Sequence, residues 1–181
     1  MIDLIEGEVV ANYGDSLSVK CFGLAFRVFV PLRIALKKPQ KVKLFTKLII
    51  PKEGTPHLYG FETEKEREIF ECLVKIPGVG SRTALNILSQ FEPKKLEEVI
   101  NSGSVSELAK VKGIGPKLAR RIIAEMKGKF LEVKTKNSEL FEILKSLGYT
   151  TSEIEKALSQ VDISNLPVEK ALKEVLKVLH S

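Results

Sequence analysis

The sequence predicts a multi-domain α+β protein, with a small β-barrel first, a five-helix domain second and a three-helix domain last. Three observations carry this. Apolar residues recur with period two up to about residue 62 and with helical period from there on. One glycine hairpin occurs twice, centred on Gly78 and again on Gly113. Charge is uneven: residues 1–62 carry nine basic and six acidic groups, residues 63–131 thirteen and nine, and residues 132–181 seven and eight. The positive balance therefore lies in the first two segments, which separates a candidate nucleic-acid half from a nearly neutral tail suited to a protein partner. The expected divisions are a barrel over 1–62, a helical domain over 63–130, a linker over 131–137 and a last domain over 138–181.

In the first segment Leu17, Val19 and Cys21 alternate with Ser16, Ser18 and Lys20. Phe26, Val28 and Val30 alternate with Ala25, Arg27 and Phe29, and Val42, Leu44, Thr46 and Leu48 with Lys41, Lys43, Phe45 and Lys47. Such alternation marks half-buried antiparallel strands, and turn signals at Asn12–Asp15, Phe22–Leu24 and Pro51–Pro56 divide them. About five short strands suit an OB-like β-barrel. A five-stranded SH3-like barrel gives much the same pattern. The basic face at Lys41, Lys43 and Lys47 fits a nucleic-acid surface and a merely solvated strand face equally well.

The second segment is helical. Thr63-x-x-Glu66 and Ser104-x-x-Glu107 are capping-box sequences and predict helix starts. Ile69, Phe70 and Leu73 form the face of a first helix, Leu85, Ile87 and Leu88 of a second, and Leu96, Val99 and Ile100 of a connector. Leu108 and Val111, then Leu118, Ile122, Ile123 and Met126, complete five helices, and Pro116 is tolerated in a first turn because its missing N–H costs nothing there.

Within this segment Leu73-Val-Lys-Ile-Pro-Gly-Val-Gly-Ser-Arg-Thr-Ala84 is repeated as Leu108-Ala-Lys-Val-Lys-Gly-Ile-Gly-Pro-Lys-Leu-Ala119. Each copy reads as helix, Gly-x-Gly turn and second helix, the latter starting at Ser81 or Pro116. The glycines permit positive φ and close approach of a ligand to the main chain, and the following helix offers unpaired N–H groups to an anion. A tight turn with a glycine C-cap explains one such copy; two copies, each followed by cations, point to two phosphate seats. The candidate phosphate-binding residues are Gly78, Val79, Gly80, Ser81 and Arg82, with Gly113, Ile114, Gly115, Lys117, Arg120 and Arg121. The pattern resembles the tandem helix-hairpin-helix, a DNA-backbone binder without sequence preference.

Lys127 to Asn137 is charged and lacks periodicity, hence the predicted linker. Leu140, Phe141, Leu144 and Leu147 then form a stripe ended by Gly148-Tyr149. Thr150-x-x-Glu153 caps the next helix, with Ile154, Ala157, Leu158 and Val161 inward, and a last helix from about Pro167 carries Val168, Ala171, Leu172, Val175 and Leu179. The Leu147-Gly-Tyr149 turn is similar to that of UBA-like (ubiquitin-associated-like) three-helix modules, which commonly bind protein partners.

Composition excludes several classes. No apolar run approaches a membrane span, and Met-Ile-Asp-Leu-Ile-Glu-Gly lacks the basic start of a secretory signal. Cys21 and Cys72 are distant and His57 and His180 are the only histidines, so neither a structural metal nor a cofactor is expected, and the thiols read as core fillers in a reducing compartment.

Barrel, two hairpins and three-helix tail in this order resemble the RuvA family, the junction-binding subunits of the bacterial Holliday junction branch-migration complex. The likeness extends over nearly the whole chain. It is carried by Gly7, by Phe22-Gly-Leu-Ala-Phe26 leading to Val28 and Pro31, by Leu58-Tyr-Gly-Phe61, by both hairpins and by Ile123-Ala-Glu-Met-Lys127. The resemblance implies a cytoplasmic homotetramer, one or two of which hold a four-way DNA junction open and flat. It also implies a tail that recruits a RuvB-type hexameric AAA+ ATPase, with a RuvC-type junction resolvase as a further partner. Leu147, Gly148, Tyr149, Leu172 and Leu176 are the candidate ATPase contacts on this basis. The family carries two adjacent acids in the loop between the last barrel strands, forming pins at the junction centre. Here that loop is Pro51-Lys-Glu-Gly-Thr-Pro56: Glu53 matches one acid, Gly54 stands in place of the other, and the linker is also shorter than in many members.

Two rivals are a general helix-hairpin-helix accessory factor and an enzyme, either a repair glycosylase or a nuclease. Glycosylases of this kind need an Asp shortly after the hairpin, and none occurs between Lys117 and Val161. Asp3, Glu6, Asp15 and Glu53 show no metal-ligand spacing for nuclease chemistry. A phosphate-binding Gly-x-x-x-x-Gly-Lys-Ser/Thr loop is missing too, so ATP hydrolysis is expected from a partner.

Overall fold

The period-two segments form β1 (Leu4–Asn12), β2 (Ser16–Cys21), β3 (Leu24–Phe29), β4 (Lys41–Ile49) and β5 (His57–Phe61). They close into a barrel in the order β1-β2-β3-β5-β4, with β1 pairing both β2 and β4. One pair is parallel, β3 with β5, through Val28 to Leu58 and Phe29 to Tyr59. That order with one parallel pair is the OB arrangement, and it decides against the SH3-like alternative. Leu17, Val19, Val28 and Leu44 are fully buried in the barrel core, and Cys21 packs against it, donating through Sγ to the Glu6 carbonyl. The structure is a computed structural model and describes residues 2–51, 53–161, 163 and 166–180; the side chains of 130–138, 155 and 159 also lie outside the description.

Gly7 and Gly60 occupy places no larger residue fits. A Cβ at Gly7 would lie 2.3 Å from the Lys20 carbonyl oxygen, and one at Gly60 2.5 Å from Val28 Cγ1. Between β3 and β4 the chain forms a short helix, α1 (Leu32–Leu36), which five residues are too few to announce by periodicity. The basic strand face is charge-balanced: Lys43 and Lys41 stand opposite Glu6 and Glu8 on β1, and Lys47 pairs with Glu71 at 2.9 Å.

The second segment contains α2 (Glu64–Val74), α3 (Ser81–Gln90), α4 (Pro93–Ser102), α5 (Val105–Leu108) and the start of α6 (Pro116–Ser146). Thr63 caps α2 by accepting from the Glu66 N–H, while the Glu66 carboxylate turns back to the Glu62 N–H. The expected capping box at Ser104 is not made. Gly103, at φ 70°, and Ser104 instead close the end of α4, with the Ser104 N–H donating to the Val99 carbonyl at 3.1 Å. Barrel and helices are joined by Arg33 of α1. Its guanidinium meets Glu66, pairs with Glu62 at 3.0 Å and donates to the Leu88 carbonyl at 2.9 Å. Glu66 is only 3% exposed, so this cation neutralises a carboxylate that water does not reach.

The segment 131–137, expected as an unpatterned linker, is helical. Helix α6 runs unbroken from Pro116 to Ser146. The segment lacks an apolar stripe, but its Lys, Glu and Leu residues are good helix formers, and propensity holds where periodicity is silent. The chain divides into two compact units, Met1–Met126 and Lys127–Ser181, with the division falling inside that helix.

In the second unit the end of α6, α7 (Thr151–Gln160) and α8 (Val168–Leu179) enclose a core of Leu140, Leu144, Ile154, Ala157, Ile163, Ala171 and Val175. Gly148, at φ 95°, ends α6, with its N–H on the Lys145 carbonyl and the Tyr149 N–H on that of Leu144. Thr150 and Glu153 form the predicted capping box, and hydrogen bonds from the Thr150 hydroxyl and then its backbone N–H hold the Glu153 carboxyl below the usual glutamate range.

Candidate nucleic-acid interface

The two glycine turns are built alike down to single hydrogen bonds. In the first, the Ile76 N–H donates to the Leu73 carbonyl and the Val79 N–H to that of Ile76; in the second, Val111 donates to Leu108 and Ile114 to Val111. Gly78 and Gly113 take φ of 92° and 91°, where any side chain would be strained. The residues between the glycines, Val79 and Ile114, are each 5% exposed and anchor the turns in the core. Their N–H groups are used within the turns, so both residues, expected to bind phosphate directly, are anchors with no free donor.

Gly80 and Gly115 differ from the first glycine of each pair. Neither has a left-handed φ, and a Cβ at either would meet nothing within 4 Å. Internal packing therefore does not require glycine there. Each precedes a helix whose first bond, Ala84 N–H to the Gly80 carbonyl or Ala119 N–H to that of Gly115, leaves the N–H groups before it open. No side chain caps α3, and neither α3 nor α6 has an acid in its first turn. The contrast with α2 is instructive, since Glu64 and Glu66 occupy its first turn and Thr63 caps it. An anion at α3 or α6 would thus meet unsatisfied donors and the positive end of the helix dipole with no competing acid.

Arg33, Lys37, Lys47, Lys65, Arg67 and Lys95 are paired with acids. Among the described residues Arg82, Lys112, Lys117 and Arg120, all exposed and close to the turns in sequence, form no ion pair. Arg121 is different, because its guanidinium donates to the Pro77 carbonyl at 3.1 Å. Its place in the repeat groups it with the phosphate-facing cations, because nothing in a local pattern shows a carbonyl 44 residues away.

In the loop between β4 and β5, Glu53 is exposed and Gly54 has φ 102°. That backbone favours glycine, and any side chain there would be strained. Lys52, which adjoins Glu53, lies outside the described residues. Of the candidate partner contacts, Leu147 is 57% exposed, whereas Tyr149, Leu172 and Leu176 pack against the core of the second unit. The Tyr149 hydroxyl also shares a 2.6 Å hydrogen bond with His180 Nε2. Among the described residues no group of His, Cys, Asp or Glu could hold a metal ion, and no helix is long and apolar enough to cross a membrane.

Comparison with known proteins agrees with this architecture. The family model for the RuvA N terminal domain matches residues 1–60, that for a SAM-like helix-hairpin-helix tandem matches 70–127, and that for the RuvA C-terminal domain matches 136–180. A protein of Halothermothrix orenii named Holliday junction branch migration complex subunit RuvA is 40% identical over 192 aligned positions, covering 100% of this chain and 98% of that protein. A protein of the same name from Fusobacterium nucleatum is 35% identical over 98% of this chain and 97% of its own length. With the namesake from Thermodesulfovibrio yellowstonii, 32% identical, the similarity spans 60% of this chain and 58% of the relative.

Proposed function

Because the chain belongs to the RuvA family, we propose that it binds four-way DNA junctions by shape and acts as a non-catalytic subunit in branch migration. The observation that carries this reading is the pair of acid-free helix starts behind Gly80 and Gly115, the first of them without a side-chain cap, with unpaired cations close in sequence. Contacts of this kind touch phosphates and read no sequence, which suits a ligand defined by geometry alone. Branch migration also demands it, since a protein gripping base edges would resist the movement of the crossover.

In this reading four copies surround the junction, one per arm, and Glu53 of each faces the crossover. The second unit recruits a RuvB-type AAA+ ATPase through Leu147 and the turn at Gly148, and a RuvC-type resolvase acts on the same complex. ATP hydrolysis belongs to the partner, and the setting is the bacterial cytoplasm. A competition titration between a four-way junction and a duplex of equal length tests the reading. We expect the junction to win at every salt concentration. Equal affinity for both would instead identify a general DNA-binding accessory factor. Truncation after residue 137 is expected to preserve that preference and to abolish stimulation of the ATPase.

A further inference from the structure

A cavity of about 440 Å³ lies between the barrel and α3, within the first unit. One wall is aromatic. Phe29 meets His57 edge-on at 5.2 Å, and Tyr59 lies 5.8 Å from Phe29 with the rings tilted by 36°. Tyr59 is backed in turn by Phe70 at 4.9 Å, so the wall is braced from behind. The rest of the lining is partly polar, with Arg82 and Asn86 from α3, Lys112 from the second turn and one acid, Asp15. Arg82 and Lys112 have no ion-pair partner among the described residues. Asn86 gives its Nδ2 to the Lys112 carbonyl and keeps Oδ1 as an acceptor.

We propose that this cavity receives one unpaired nucleobase of a DNA strand whose phosphate sits at the start of α3. The proposal rests on the junction reading above and adds a nucleotide site to it. His57 is the first residue after the Pro51–Pro56 loop, and Arg82 is the second residue of α3. The cavity therefore joins the loop assigned to the crossover with the first phosphate seat. The half-buried rings of Phe29 and His57 can stack on any base without reading it, with Tyr59 buried behind them; the cations follow the adjoining phosphate, and Asn86 Oδ1 can accept from a base amino group. The volume falls in the range of about 300–1,000 Å³ typical of small-ligand sites. Extrusion costs least for a base that is already unpaired, and the crossover is where stacking is broken and pairs are exchanged as the branch migrates.

The test uses the full chain and a four-way junction carrying 5-iododeoxyuridine at the crossover, with the same label in mid-arm as the control. Irradiation should crosslink the crossover label to His57, Phe29 or Tyr59, and the mid-arm label to none of them. His57→Ala should lose most of that crosslink and about tenfold in affinity for a junction with an unpaired crossover base, the scale of one base–aromatic stack. His57→Phe should restore both, which a merely structural role for the histidine would not require. Intact junction binding with crosslinks only elsewhere, or with none, overturns the nucleotide site and leaves the junction reading standing. If the protein does not prefer junctions, the junction reading fails, and a labelled single strand then decides the cavity. Crosslinks to the same rings keep the site, and their absence overturns it.

Discussion

Asn86 donates through its side-chain amide to the carbonyl of Lys112, and one repeat later Arg121 donates to the carbonyl of Pro77. Asn86 and Arg121 are equivalent positions in the two hairpins, as are Pro77 and Lys112. Each second helix thus grips the residue preceding the first glycine of the other turn. The contacts at the glycines follow the same exchange: a Cβ at Gly78 would lie 3.3 Å from Leu118, and one at Gly113 3.6 Å from Thr83. The duplicated sequence folds into a reciprocal clasp, which fixes the spacing of the two helix starts.

The clasp separates cations that hold the fold from cations left for a ligand. Lys117→Ala is expected to weaken DNA binding about equally across sequences and to reduce the salt slope by about one, with stability unchanged. Arg121→Ala should instead cost about 1 kcal/mol of stability, the scale of one hydrogen bond, and change the slope less. Salt titrations beside thermal melts distinguish the two.

Arg33→Ala should be the more damaging change for the fold. It leaves Glu66 buried without its cation and removes the bond to the Leu88 carbonyl. Breaking a fully buried pair costs about 3–5 kcal/mol, and the partial exposure of Arg33 lowers the expectation to about 2–4. Denaturant unfolding of the truncated first unit would measure it. A loss below about 1 kcal/mol, the level of a surface pair, would contradict the role given to Arg33.

For the junction centre, Glu53→Gln should bind junctions as well as the parent or better, because a repulsion is removed. A carboxylate about 6 Å from a phosphate is repelled by only about 3 kcal/mol at an effective dielectric near 20, and by less in water. The effect should appear in migration rate with the ATPase supplied. Identical rates and salt dependence for parent and variant would reduce Glu53 to a solvated turn residue.

Much of this was legible in the sequence because its causes are local. Alternation at Leu17–Cys21 and Val42–Leu48 gave the strands, and Thr150-x-x-Glu153 gave a cap that is made in full. The matching Gly-x-Gly turns gave two helix starts at Ser81 and Pro116. What escaped depends on distance or on competition. Ser104 has a capping sequence but is taken by the end of α4. Helix α1, at five residues, is too short to repeat a helical period, and α6 persists through residues whose pattern is silent. The bonds of Arg33 and Arg121 reach carbonyls 55 and 44 residues away, beyond any local pattern.

If Gly80 is glycine for the ligand and not for the fold, Gly80→Asp separates the two roles. The backbone there, at φ −85° and ψ 167°, suits any residue, and a Cβ meets nothing. Asp is moreover a favoured N-cap, so the variant should melt at the parent temperature or slightly above it. The same carboxylate would take the N–H groups offered to phosphate and repel it by about 3 kcal/mol at ~5 Å and an effective dielectric near 20, about a hundredfold in affinity. The measurement is junction affinity beside the melting temperature of one sample. Stability should hold or rise while affinity falls steeply; a folded Gly80→Asp protein that binds junctions as tightly as the parent would rule out a phosphate at that helix start.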